Sequence, residues 1–332
     1  MKISSALVAT GILSSAVVAH PGGHHVPRAV VQRRAALSQN CAPQVAQYNE
    51  KRYAKRMKKR SLNLEPRSGN TTYQITTEAP YYDVIQNDTC VLDPQVTQGP
   101  YVWPRSQTLR QDMSEGQAGV PLWLDVGVLD MATCEPLENA LVSFWHCNAT
   151  GSYSSFTGLS PNTPFVQLLE QLGVNNFTIG ETDLHTDNTT FLRGMWPTDA
   201  NGMLEMKTIF PGFYVERAVH IHTQVYTDWV LHANGTVSSG NIVSTGQLYF
   251  PEDTNEKIMA LEPYSTHTEI ERTTNDVDSI IAQGYEGGYN PVVSVVPADG
   301  ENPENGLIGY ITMGVDTTAI ETTDIRNTGG GW

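Results

Sequence analysis

From about residue 85 onward, apolar and polar positions alternate over short stretches broken by turn residues. Val120 to Asp130 alternates, and Leu141 to His146 and Val219 to Tyr226 are strand-like through their Thr, Val and aromatic content. Gly-Asn, Asn-Gly and Pro-Gly pairs punctuate these runs. Residues 164–172 (PFVQLLEQL) form the best short helix candidate of this part. The rhythm predicts an all-β fold, an antiparallel β-sandwich core with long loops and a short helix. Upstream, Ala46 to Lys59 is polar, basic and compatible with a helix. Strand signals fade after about residue 290, and Thr317 to Trp332 reads as a mobile tail.

Charge and the amino-terminal composition divide the chain further. Lys2 followed by a largely apolar run to Val18, then Val17-Val18-Ala19 ahead of His20, reads as a secretory signal over residues 1–19. That run is too short for a membrane span. The net charge of -15 is unevenly placed: residues 1–60 hold 11 of the 20 Lys and Arg against one acid, Glu50. An acidic body of this kind argues against a nucleic-acid partner, since phosphate contacts need clustered cations. Residues 20–60 therefore read either as a propeptide, with Lys58-Lys59-Arg60 as its processing site, or as a basic arm packed on the acidic body. His20-Pro21-Gly22-Gly23-His24-His25 reads as a solvated tail, with copper or nickel binding as the sharper alternative. The expected domain follows over 61–290, with a C-terminal extension over 291–332.

Export is also the reading of six N-x-S/T sequons, at Asn70, Asn87, Asn148, Asn176, Asn188 and Asn234. Asn148 falls inside a motif and is expected to be too enclosed for a glycan. Four cysteines allow three pairings. Cys41 and Cys90 lie outside the core motifs, so a Cys41–Cys90 disulfide is the preferred expectation, and Cys134–Cys147 the alternative.

The chemistry concentrates in Thr208 to His222. His220 and His222 are two apart, so a strand points both imidazoles to one face, where they can share a metal ion. Tyr214 follows a Pro211-Gly212 turn that can fold its phenol back to the same ion. Two imidazoles with phenolate oxygen suit oxidised iron before zinc. Upstream, the run from Leu141 to Ser154 reads as an apolar strand entering a Gly-containing turn at Tyr153.

Together, Gly99-Pro100-Tyr101, RQDMSEG at 110–116, Pro121-Leu122, Cys134-x-Pro136, WHCNATGSYS, FLRG, TIFPGFY, R-x-x-H-I-H and Gln247-Leu248-Tyr249-Phe250-Pro251 resemble, in order, the intradiol ring-cleavage dioxygenases. These are non-haem iron(III) enzymes that open catechols between the two hydroxyls. The resemblance covers roughly residues 85 to 255. It implies Fe(3+) held by Tyr153, Tyr214, His220 and His222. It also implies Tyr214 as internal base, Arg217 as the stabiliser of developing negative charge, and Gln247 as a polar residue near the oxygen-binding side. His146 is expected in the core or behind the ligands, and Tyr101 in the pocket lining. The implied substrates are a catecholic small molecule and O2, opened to a muconate-type diacid outside the cell. The alternative is a secreted β-sandwich that binds metal or ligand without turnover. A helical dimerisation region typical of cytosolic relatives is replaced by the basic arm, which leaves the oligomeric state open.

Overall fold

A computed structural model describes residues 28–62, 91–92, 96–103, 108–179, 181–233, 237–238, 240–285 and 289–319. The expected signal at 1–19, the His20–His25 tail, Cys90, the sequons at Asn70, Asn87 and Asn234 and residues 320–332 lie outside them. The chain is mostly β. Its larger sheet is built from β1 (Val91–Leu92), β2 (Pro121–Asp130), β3 (Glu135–Pro136), β6 (Met203–Ile209), β11 (Ser294–Pro297) and β12 (Leu307–Val315). The second holds β4 (Leu141–Trp145), β5 (Arg193–Pro197), β7 (His220–Thr227) and β10 (Asn241–Tyr249) in the order β10-β7-β4-β5. A small ribbon pairs β8 (Val230–Leu231) with β9 (Val237–Ser238).

Alternation along β2 does what the sequence pattern predicts. Leu122, Leu124, Val126 and Val128 enter one hydrophobic cluster with Val142 and Phe144 of β4 and Val219 and Ile221 around β7, so both sheets feed the same core. The second sheet is antiparallel throughout. In the larger sheet, however, β12 runs parallel to β2 from Leu307↔Leu122 to Val315↔Asp130, and parallel to β1.

This placement corrects the boundary expected at residue 290. All nine residues of β12 are buried, between β2 on one side and β1 and β11 on the other. The stretch 294–315 is thus part of the domain's main sheet and not an extension. A strand covered on both faces shows no alternation, which is why LIGYITMGV carries so little strand signal.

The basic arm forms α1 (Arg28–Leu62), 35 residues with Pro43 inside. Cys41, Val45, Tyr48 and Arg52 are buried along one helical face. That face lies on β2 and β12. The Tyr48 hydroxyl donates to the Gly202 carbonyl at 3.0 Å, while Arg52 donates to Asp125 at 3.1 Å and to the Thr312 hydroxyl at 2.8 Å. A disulfide joins Cys41 to Cys134, and Cys147 is free and buried. Neither expected pairing is therefore formed. The turn between β2 and β3 carries Cys134 under α1, a contact 93 residues apart in sequence.

One consequence is testable on a gel. A cut after Arg60 should leave the arm attached until reductant is added, and release without reductant would contradict this packing. Losing the bond through Cys41→Ser should lower stability by about 2–5 kcal/mol. Among the described residues no helix is long and apolar enough to cross a membrane.

Candidate metal centre

Register brings the site together. On β7 the side chain of Ile221 enters the core while His220 and His222 point the other way, and both imidazoles are buried. Antiparallel pairing sets Gln247 and Tyr249 of β10 opposite His222 and His220, and Trp145 of β4 opposite His222 on the other side. Trp145 stacks on His222, with centroids 5.0 Å apart and planes 4° apart. The two Nε2 atoms lie 3.1 Å from each other. His220 Nδ1 is 2.6 Å from the Ala218 carbonyl, so Nδ1 carries the proton and donates, leaving the Nε2 lone pair for a cation.

Both tyrosines reach this point. Tyr214 Oη lies 3.3 Å from His220 Nε2, and the Tyr153 ring packs 5.6 Å from that of Tyr214. The two loops that carry them meet backbone to backbone. A Cβ on Gly212 would lie 2.4 Å from the Asn148 carbonyl oxygen, which is why the turn before Tyr214 needs glycine. Arg193, from the FLRG motif, clamps the other loop: Nη2 donates to the carbonyls of Tyr101 and Ser154, both at 2.8 Å. Tyr101 stacks on Tyr153 at 4.5 Å, as a lining residue should.

The donor set fits a cation. Burial raises the Tyr153 phenol well above its ordinary pKa and holds Tyr214 up at about 12, with Arg217 pulling Tyr214 the other way. Among the described residues the buried Tyr153 hydroxyl has no hydrogen-bond partner, an unmet polar group on a ring packed against those of Tyr214 and His222. No group of three or more His, Cys, Asp or Glu among the described residues could hold a metal. A cation here must be held by mixed imidazole and phenol donors, a set that favours a hard, oxidised ion.

Gly99 sets the fit from behind. It has φ 73°, and a Cβ there would lie 2.7 Å from His222 Cε1. Gly99→Ala should displace that ring and weaken metal binding by about 10-fold or more. Competition against a chelator measures this, and unchanged affinity would contradict the geometry.

Arg217 sits beside the four donors, 1% exposed. Nε donates to Asp278 at 2.8 Å, Nη2 to Gln247 at 2.5 Å and to the Tyr249 hydroxyl at 2.8 Å, and Nη1 to Tyr214 Oη at 3.4 Å. Burial opposes its charge, but Tyr249, Asp278 and Tyr214 together hold its pKa above the ordinary value. The adjoining Glu216 has φ 67°, a strained conformation of a kind that gathers at functional sites. Gln247 is fixed in turn, its Nε2 donating to the Thr97 carbonyl at 2.8 Å.

All six residues singled out from the sequence thus lie in one place. His146 does not join them. Its ring nitrogens meet the Cys147 carbonyl and the Thr208 hydroxyl, both at 2.8 Å, and burial pushes its pKa down to about 4. Sequence reading missed Asp278 and Tyr249. Tyr249 could have been found by its period of two from Gln247, and Asp278 as a helix N-cap before Ser279-Ile280-Ile281. Asn148 is half-buried, and its side-chain Oδ1 accepts from the Thr150 and Ser152 amides.

Known proteins point the same way. A family model described as "Dioxygenase" matches residues 97–261. An intradiol ring-cleavage dioxygenase from Tetranychus urticae is similar at 24% identity, covering 71% of this chain and 100% of its own, with a TM-score of 0.56. The dioxygenase domain of a carbohydrate-binding fusion protein from Streptomyces sp. SirexAA-E matches at 23% identity over 68% and 98%, with a TM-score of 0.38. A 3-chlorocatechol 1,2-dioxygenase from Rhodococcus opacus 1CP matches at 17% identity over 67% and 71%, with a TM-score of 0.36. At 24% identity the likeness to the Tetranychus urticae protein reaches the fold and not the substrate. Comparison with curated sequences finds no match. The ordered motifs fall inside the matched segment, so residues 97–261 of the chain match the family described as "Dioxygenase".

Proposed function

We propose that this protein is a secreted Fe(III) dioxygenase that opens catechol-type rings between the two hydroxyls, giving muconate-type diacids. The observation that carries the reading is the meeting of Tyr153, Tyr214, His220 and His222 at one buried point, with Arg217 directed at Tyr214. The family is known for non-haem iron. Ferric iron held by those four side chains would supply a Lewis-acidic centre that binds a catecholate and activates it toward O2.

The chain's own residues have separate tasks. Tyr214 takes the proton of a catechol hydroxyl at its Oη, because burial makes its phenolate a stronger base than a free one. The Arg217 guanidinium, held through Nε and Nη2, offers Nη1 to oxygen charge that grows as the ring opens. Gln247 keeps its carbonyl on Arg217 and its amide on Thr97. Tyr101 stacks on Tyr153 and carries Phe156 and Phe165 against its own ring, an aromatic group that excludes water.

The two sheets around one core suit the β-sandwich expected from the sequence. Export accords with exposed sequons at Asn176 and Asn188 and with the disulfide. The reaction is tested by supplying the iron-loaded protein with a panel of catechols under ¹⁸O2. The reading expects a diacid that carries both labelled atoms. A ring opened beside the hydroxyl pair, or no product from any catechol, would overturn it.

A further inference from the structure

Behind Arg217 lies a carboxylate outside the segment that the family model matches. Asp278 caps the short helix Ser279–Gly284 and is 3% exposed. Its Oδ2 accepts Arg217 Nε and the Ala218 amide, each at 2.8 Å. Its Oδ1 accepts the Ile280 amide at 2.7 Å and the Ile281 amide at 3.1 Å. One side chain thus ties the start of a helix to the turn that leads into β7.

The geometry points to Asp278 as a positioning residue for ring opening. With Tyr249 behind it, the carboxylate fixes the rotation of the Arg217 guanidinium so that Nη1 faces Tyr214. This rests on the dioxygenase reading above. An arginine has five N–H donors in a rigid fork, so whichever edge is occupied decides which edge is presented. Asp278 takes Nε, and Gln247 and Tyr249 take Nη2. Nη1 is then the group that meets the Tyr214 oxygen.

Only a carboxylate can do this. Donors meet Asp278 on both oxygens, so an amide would turn its NH2 toward donors whichever way it lay. Asp278→Asn therefore breaks either the Arg217 contact or the helix cap at nearly constant volume. Tyr249→Phe removes a second prop with no donor conflict.

The test uses the full chain and has two parts. In metal-free protein, the Arg217 Nε–H resonance is followed by NMR. It should exchange slowly with solvent in the wild type and fast in Asp278→Asn. In iron-loaded protein, Asp278→Asn should keep its iron and its visible tyrosinate band while kcat falls about 10- to 100-fold. KM should move by less than about threefold, the split expected when transition-state contacts are lost and substrate binding is kept.

Tyr249→Phe should lower kcat by less, again with iron retained. A kcat within about twofold of wild type in both variants would overturn the proposal. So would loss of iron in step with kcat, or fast Nε–H exchange in the wild type. Should Asp278→Asn fail to fold, an unchanged kcat in Tyr249→Phe overturns it alone. If wild-type iron-loaded protein opens no ring, the dioxygenase reading fails, and the exchange experiment still decides whether Asp278 holds Arg217.

Discussion

Arg217→Leu is expected to lower kcat by about 100- to 1000-fold, the usual loss when one preorganised donor to developing charge is removed. The four candidate ligands keep their places in this variant, so iron content should stay near that of the wild type. A second effect appears in stability. Arg217 and Asp278 form an ion pair at 2.8 Å with side chains 2% and 0% exposed, and leucine would strand the carboxylate. Breaking a buried pair in this way costs about 3–5 kcal/mol.

The pH dependence has a definite sign. Burial raises the Asp278 pKa, but Arg217 and the amides of Ala218 and Ile281 outweigh it and hold the group below its ordinary value. The folded wild type therefore binds this proton less readily than the unfolded chain. The stabilisation is complete above the unfolded pKa of about 3.9 and is lost as pH falls through the lower folded value. In Arg217→Leu the stranded carboxylate gains by taking a proton, so the stability gap to wild type should narrow on acidification. Denaturant melts at neutral pH and near pH 4–5 read this out. A constant gap, or activity within tenfold of wild type, would contradict the role given to Arg217.

His222→Ala should abolish activity and weaken metal binding by more than about 100-fold, since loss of a mere supporting partner already costs 10- to 100-fold. The fold should survive, because His222 packs on Trp145 and Gly99 at the site and takes no part in the main hydrophobic cluster. Metal loading of the wild type carries its own signature. Both phenols are protonated at neutral pH in the metal-free protein, burial pushing Tyr214 up to about 12 and raising Tyr153 well above its ordinary value. Binding a ferric ion as two phenolates must then release about two protons. Calorimetry in two buffers of different ionisation enthalpy counts them, and no release would mean that the tyrosines are not ligands.

The candidate ligands His220, His222 and Tyr214 stand out in the sequence because their grouping is local. H-x-H on a strand needs only a period of two, and Pro211-Gly212 before Tyr214 announces its own turn. Tyr153 lies far from them in sequence and was reached through motif order alone. Contacts set by distant pairing left little trace. The buried face of α1 reads as Cys41, Val45, Tyr48 and Arg52, too short and too polar a stripe to announce itself. Pairing of Cys41 with Cys134 depends on where that helix lands, which spacing does not contain. β12 is hidden by burial on both faces, and Asp278 by the shortness of the helix that it caps.

The visible spectrum of purified, iron-loaded protein, before and after anaerobic addition of a catechol, tests the central claim most directly. The account predicts a broad tyrosinate-to-Fe(III) charge-transfer band that shifts when catechol binds and weakens in Tyr153→Phe. A protein that stays colourless after iron reconstitution, or a band indifferent to catechol, would contradict it.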